Sequence, residues 1–482
     1  MRSSLPVVSG FYISEASGLV NRRLSNMYPI YPTQEASTPG ALVHTPGTLQ
    51  IGEAPNGGRS RGAFVLKDIE YRVVGNTFYS VAEDGTFTGL GSVTGGKDVS
   101  IATNDINIAI QDPEGSSYFY TPSTGVYEEN NDPVFLSFGQ ARTVTQKDGY
   151  YVYTTDDIFF SGSFKGTNDG KSFNALDFED AEISPDKITK GWVNHNQLYI
   201  LGETSAEIYQ TITTSGFPFQ RIVNGVIQKG CIAPNTVTDF DDGFLFMGGD
   251  VGELPGIWKA IGSSFTKISD SSIDTIIHSY SKGTQQLSRC WTYAENGAYF
   301  AVFRIGNDTL VYDATASKRS GRPQWHARQS GVGDGNTFRP WRAIHGVLAY
   351  GEIRVGDADS AVIGELSKDL YMEYGEPIER LIPTLPYIND LDPYFAQEVE
   401  LYMRTGLGNS DVEDPKIRFN YSDDGGETFT PERWRSLGRV GQRNIRVRWS
   451  RLGRASKGRM LQFKITDPVP VEIYGLYANS EG

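Results

Sequence analysis

One recurring phrase restricts this chain more than any other feature: a polar turn, then a short aromatic or aliphatic strand that runs into Gly or Asp. It stands at 68–75, 105–110, 149–153, 195–202, 243–248, 297–303 and 346–351. From turn to turn the gaps are 37, 44, 46, 48, 54 and 49 residues. One four-stranded propeller blade takes roughly 40–50 residues. A lone blade leaves both faces wet, and radial packing buries them against each other. The spacing predicts a β-propeller of six or seven blades over 61–385. A plain β-sandwich with turns at similar intervals is the alternative.

Turn chemistry agrees. Asp84-Gly85-Thr86-Phe87, Asn168-Asp169-Gly170-Lys171-Ser172-Phe173 and Ser422-Asp423-Asp424-Gly425-Gly426-Glu427-Thr428-Phe429 each put an Asp/Gly turn before a hydroxyl and an aromatic residue. Gly supplies positive φ, and Asp bonds its own turn backbone. The last of these fits the Asp-box pattern, a hairpin stabiliser in the families that carry it. Gly (54 residues) with Tyr and Phe (26 and 25) favours strands and tight turns over helices.

Three regions follow. Residues 1–60 are rich in Pro, Ser and Gly and read as an extended N-terminal arm with few elements of its own. Residues 61–385 carry the repeats. Pro377, Pro383, Pro386 and Pro393 mark a boundary, and 386–482 read as a separate antiparallel β-sandwich or platform domain. There Val399, Leu401 and Met403 alternate with Glu398, Glu400 and Tyr402. Ile445, Val447 and Trp449 likewise alternate with Arg446 and Arg448, and Leu461, Phe463 and Ile465 with Gln462 and Lys464. The fold class is all-β.

The net charge of −14 is unevenly spread. Between Arg433 and Lys464 stand nine Arg, two Lys and no acid, so the rest of the chain carries −25. An acidic body repels nucleic acid at long range. Arg433, Arg435, Arg439, Arg443, Arg446, Arg448, Arg451 and Arg454 read as an assembly surface, because guanidinium forks pair with carboxylates or phosphates. A solvated strand face is the plainer reading. No groove-entering helix is visible for sequence-specific DNA reading.

Catalytic and cofactor signatures are missing. His44, His195, His278, His326 and His345 show no metal-ligand spacing, and His195 and His345 fall in expected turns where a solvated imidazole is the natural reading. There is no GxSxG elbow, phosphate loop or dinucleotide fingerprint. The neighbours Asp156-Asp157 and Asp241-Asp242 give no ready acid/base pair. Cys231 and Cys290 read as buried thiols, with a disulfide left open. No cofactor and no metal are expected. No segment approaches the ~20 apolar residues that span a bilayer, and 1–20 lack a secretory core, so synthesis in the cytoplasm is expected. The Asp-box keeps a sialidase-like glycosidase or carbohydrate-binding protein as the alternative.

Specific phrases then stand out: Asn26-Met27-Tyr28-Pro29, His44-Thr45-Pro46-Gly47-Thr48, Asn174-Ala175-Leu176-Asp177-Phe178, Ser215-Gly216-Phe217-Pro218-Phe219-Gln220-Arg221-Ile222 and Lys229-Gly230-Cys231-Ile232-Ala233-Pro234. Together they resemble the packaged-DNA stabilisation proteins, the tail hub or nozzle, of short-tailed bacteriophages. The resemblance runs over most of 20–275 and more loosely through the Asp-box hairpin to Lys464-Ile465-Thr466-Asp467-Pro468-Val469. It implies a non-enzymatic virion tail protein, made in the host bacterial cytoplasm. It implies a homo-hexameric ring below the portal and the head-to-tail adaptor. That ring would prolong the channel for double-stranded DNA, retain the genome, and hold the tail needle or plug and the tailspikes or fibres. It carries over no catalytic residue.

Overall fold

The computed structural model describes residues 2–8, 12–13, 21–33, 38–180, 186–212, 216–333, 339–387, 392–456 and 458–481. Ser215 and Lys457, which belong to two of the segments singled out above, lie outside the described residues.

Seven sheets form a seven-bladed propeller. Blade 1 runs from Ser60–Leu66 to Phe87–Ser92, blade 2 from Ser100–Thr103 to Val126–Glu129, and blade 3 from Thr143–Lys147 to Phe173–Asp180. Blade 4 runs from Ile188–Asn194 to Phe219–Ile227, blade 5 from Gly230–Cys231 to Ser264–Lys267, and blade 6 from Arg289–Glu295 to Trp325–Ala327. Blade 7 begins with Ala343–Ala349, Glu352–Asp357 and Val362–Ser367. Its next strand comes from far upstream: Gly47–Glu53 pairs antiparallel with Val362–Ser367. The ring is therefore closed by a strand laid down before blade 1.

The recurring phrase marks the hairpin between the first two strands of each blade. These turns are tight, and residues with positive φ occupy them: Lys67 and Asp68, Asp148 and Gly149, His195 and Asn196, Asn296 and Gly297. Two-residue turns of this hand match the twist of the flanking strands. In blade 7 the phrase at 346 marks a bulge instead. The register slips between Ile344 and Val347, His345 takes φ 50°, and the turn falls at Tyr350 and Gly351.

Six apolar clusters fill the seams between successive blades. Tyr71, Phe78, Ile108 and Tyr118 join blades 1 and 2. Leu245, Met247, Phe303 and Trp325 join blades 5 and 6, with Ile273, Ile276 and Ile277 of the helix Ser271–Ser279 added. The closing seam between blades 7 and 1 holds the smaller set Ala54, Val74, Tyr79 and Ala361. Alongside that cluster lies a buried ionic joint. Arg72 of blade 1 pairs with Glu70, and Arg354 of blade 7 reaches the other Glu70 oxygen at 3.2 Å; all three side chains are at most 2% exposed. Arg72 also donates to the carbonyls of His345 at 3.2 Å and Arg354 at 3.0 Å.

The remaining strands form a two-sheet sandwich. One sheet orders Met27–Ile30, Ala41–His44, Glu472–Glu481, Tyr394–Met403 and Val447–Ala455, with Arg2–Leu5 beside Glu472–Glu481. The other orders Arg380–Pro383, Met460–Ile465, Lys416–Ser422 and Arg433–Ser436. Val399, Leu401, Val447, Trp449, Phe419 and Phe463 meet between them, on the alternation read from the sequence. The N-terminal arm thus serves both domains: its strands sit in the sandwich sheet and in blade 7.

The arm also fixes the junction. Asn26, at φ 56°, donates its amide to the carbonyls of Gln329 (3.1 Å) and Glu379 (2.8 Å) and accepts from the Gln329 N–H at 3.1 Å. His44 Nδ1 accepts from the Val471 N–H at 3.2 Å, so Nε2–H faces the Lys368 carbonyl at 3.1 Å. One neutral imidazole thereby ties the sandwich to the chain leaving blade 7. Gly47 lies so close to the Leu370 and Met372 carbonyls that a Cβ would meet them at 2.7 and 2.5 Å. Cys231 and Cys290 are both free thiols.

Candidate assembly interface

Two edge strands and the connection between them carry the eight arginines. Arg433–Ser436 ends one sheet of the sandwich and Val447–Ala455 ends the other. Contacts from side chain to backbone hold the two edges together. Arg435 Nε donates to the Arg448 carbonyl at 2.9 Å, and Trp449 Nε1 to the Arg433 carbonyl at 3.2 Å. An open sheet edge invites pairing with other chains; charge and bulges protect it. Here arginines line it, and a bulge carries Arg451 at φ 58° opposite the register slip between Ala396 and Glu398.

The eight arginines are not equivalent. Arg446 holds Glu400 bidentately, with Nε at 2.6 Å from Oε1. Arg448 approaches Glu398 at 3.4 Å, and Arg439 approaches Glu413 at 3.8 Å. Arg433 and Arg435 donate to backbone carbonyls. Arg443, Arg451 and Arg454 are exposed and form no ion pair among the described residues. Trp434, Val440 and Phe395 stand exposed beside them at 53%, 60% and 57%. Arginine next to exposed aromatic surface is the composition of a protein interface core.

Two other members of the segment are structural. Arg459 is buried, forks onto Asp423 at 2.6 and 2.7 Å, and donates to the Leu452 carbonyl at 2.8 Å. Lys464 pairs with Glu432 at 3.3 Å. The Asp-box behaves as a turn clasp: Ser422 Oγ donates to Asp424 at 2.6 Å, and the Thr428 N–H donates to Asp424 at 3.0 Å. Those bonds, Ser422 first, hold the Asp424 carboxyl well below the usual range.

Sequence reasoning missed a cluster on the propeller axis. The first strands of neighbouring blades touch around that axis. Asp98, entering blade 2, is nearly buried and takes Arg59 at 2.6 Å, Arg289 of blade 6, and His345 of blade 7 at 3.5 Å. Burial alone would raise the Asp98 carboxyl, but His345 and Arg289 hold it well below the carboxylate range. His345 is correspondingly no solvated turn residue. It is largely buried, with Ser60 Oγ 3.1 Å from Nδ1, and burial lowers its proton affinity while Asp98 pulls the other way. The partners stand 191 positions apart in one case, so no local spacing could reveal them. Three of the four neighbouring acids read from the sequence are ion-paired: Asp156 with Arg142 and Lys187, Asp241 and Asp242 with Lys259. No group of three or more His, Cys, Asp or Glu side chains is gathered as a metal site among the described residues. None of the described helices is long and apolar enough to cross a membrane.

Two family models divide the chain into a propeller and a sandwich. The chain resembles the "Tail hub protein gp10" of Salmonella phage P22, 23% identical over 424 residues, covering 85% of this chain and 87% of that protein. Among solved structures it resembles the WD40 domain of Neurospora crassa Pan2 (8% identical, TM-score 0.42, covering 66% of this chain and 95% of that one). It also resembles the N-terminal domain of Nup159 (12% identical, TM-score 0.39, covering 71% and 99%). The family model described as "Bacteriophage P22 Gp10, beta-propeller" matches residues 3–371, and the one described as "Bacteriophage P22 Gp10, beta-sandwich" matches 387–481. Seven blades closed by an upstream strand and a sandwich with an arginine-lined edge are therefore the form taken here by a chain that belongs to the phage P22 Gp10 family.

Proposed function

We propose that the chain is a tail hub, or nozzle, of a short-tailed phage particle: a structural subunit of the virion tail that is not an enzyme. The observation that carries this reading is the match of both family models, in order, over nearly the whole chain. In finer detail, six copies form a ring below the portal and the head-to-tail adaptor. The ring lengthens the DNA channel, retains the packaged genome, and offers sites to the tail needle or plug and to tailspikes or fibres.

Two features support that detail. The propeller axis is crossed by the Asp98–Arg289 pair, so duplex DNA passes between subunits and not through a blade ring. The body outside 433–464 carries −25, and an acidic wall lets phosphates slide without sticking. The arginine-lined sandwich edge is the docking face, toward carboxylates of the adaptor or of the neighbouring subunit. The glycosidase reading has less behind it. A sialidase-like site needs an arginine cluster and a tyrosine nucleophile, whereas the relative that covers 85% of the chain is a tail hub protein.

The test images the protein alone and with its portal-side partner by negative-stain microscopy. The wild type is compared with a variant in which Arg443, Arg446, Arg448 and Arg451 are changed to Gln. The expected result is a closed ring for the wild type and impaired ring formation or docking for the variant. Unchanged assembly rejects the basic face, and a monomer that cleaves a sialoside rejects the hub. Tight binding of isolated rings to duplex DNA at physiological salt rejects the sliding wall.

A further inference from the structure

The mouth of the propeller axis holds a cavity of about 400 Å³, lined by the first strands and entry loops of blades 2 to 5 and by the segment entering blade 6. Its charges are nearly all matched. Arg142 and Lys187 share Asp156, at 3.0 and 3.1 Å. Lys97 approaches Glu114 at 3.7 Å, and Glu203 takes Lys282 at 3.2 Å. Asp98 is occupied by Arg59 and Arg289.

Lys190 is the exception. It lines the cavity, is only 8% exposed, and forms no ion pair or hydrogen bond among the described residues. Its ammonium lies 5.7 Å from the Trp192 ring centroid. A bulge sets its direction: Ile188 faces Gly202 while Lys190 faces Leu201, so Thr189 is the extra residue. Bulges re-aim side chains and gather next to functional sites. The nearby Cys231 supplies no negative charge, because burial pushes its thiol up to about 11. Burial likewise pushes the Lys190 ammonium down to about 8, against the pull of the Asp98 carboxylate. An ammonium largely withdrawn from water without a counter-ion is costly. A leucine or methionine would fill the same space without that cost.

We infer that the axial cavity is a binding site for a small molecule bearing one oxyanionic group, a carboxylate or a phosphate ester, with Lys190 as the counter-charge. The volume suits a small organic ligand, and Lys190, the one cation of the lining without an ion-pair partner among the described residues, calls for a single negative group. This site is independent of the assembly role proposed above.

Pulse acylation with acetic anhydride, read by mass spectrometry, tests it on the full chain. Lys190 is compared with Lys282, whose side chain is 65% exposed. Sodium phosphate and sodium acetate are compared with sodium chloride of equal ionic strength. A bound oxyanion keeps the ammonium protonated, so Lys190 labelling falls about tenfold for each unit by which its pKa rises, while Lys282 labelling stays unchanged. Protection by phosphate alone identifies a phosphate ester, and protection by acetate a carboxylate. No protection by either, or equal protection by chloride, overturns the site. As a second readout, phosphate or acetate raises the Tm of the wild type and leaves that of Lys190→Met unmoved. An equal rise in the variant also overturns it.

Discussion

Two seams of the same propeller are built from different materials. Between blades 5 and 6, Leu245, Met247, Phe303, Trp325 and three isoleucines of a helix make an apolar wall. Between blades 7 and 1, where the ring closes, the apolar set shrinks to Ala54, Val74, Tyr79 and Ala361, and the buried Arg72–Glu70–Arg354 joint stands beside it. Apolar contact is non-directional and tolerates sliding. A buried ion pair demands one geometry and penalises every other. Seams between consecutive blades are aligned by chain connection. The closing seam joins segments remote in sequence, and a directional joint selects the one register in which the ring shuts.

Breaking the joint is expected to have the largest effect. Glu70→Leu leaves Arg72 and Arg354 buried without a carboxylate and costs about 3–5 kcal/mol. Calorimetry would show a lowered propeller transition, and hydrogen exchange would show early loss of protection in Gly47–Glu53. Replacing all three residues by apolar ones of similar size recovers most of that loss; failure to recover would mean that the joint stabilises as well as aligns. Leu245→Ala on the apolar seam costs about 2–5 kcal/mol, with protection of Gly47–Glu53 lost only at global unfolding.

A pH series sharpens the comparison further. His326 lies on the seam between blades 6 and 7, packed on Tyr28 and Phe300, with neither ring nitrogen hydrogen-bonded. Burial pushes its pKa down to about 3, below the ordinary value of 6.5. The unfolded chain therefore takes up the proton first. Propeller stability from this group is intact above pH 6.5 and falls between 6.5 and about 3, by up to roughly 1.4 kcal/mol per pH unit. Denaturant titrations should show this slope in the wild type and a flatter one in His326→Leu. The smallest effect belongs to the same chemistry in water. Arg446→Ala breaks an exposed fork to Glu400, and exposed pairs contribute little. Melting should be unmoved, and any change should appear only in assembly.

Much of the propeller was legible because its inner hairpins are local. Six of the seven marked turns are turns of successive blades, and their residues satisfy positive φ within two positions. The seventh misled because Gly346, like a turn glycine, serves a backbone irregularity: beside the His345 bulge its Cα lies so close to Trp291 that a Cβ would meet the ring at 2.1 Å. The sandwich strands were legible from alternation, as Val447 and Trp449 show. What pairs over long range was not. Nothing near Gly47–Glu53 announces Val362–Ser367, and nothing near Asp98 announces Arg289. The basic segment was half legible: its charge was plain, but Arg459, buried on Asp423, looks the same in sequence as exposed Arg454.

The closing strand has a consequence for how the chain is made. Gly47–Glu53 emerges from the ribosome before any blade, yet its partner Val362–Ser367 emerges after six of them. The sandwich is in the same position, since Met27–Ile30 and Ala41–His44 share a sheet with Tyr394–Met403 and Glu472–Glu481. The ring cannot close until blade 7 is made, the sandwich cannot be completed until Glu472–Glu481 emerges, and contacts of such separation form slowly. A chain released before blade 7 therefore has both an open ring and an unfinished sandwich, and its unpaired strand edges are prone to aggregation.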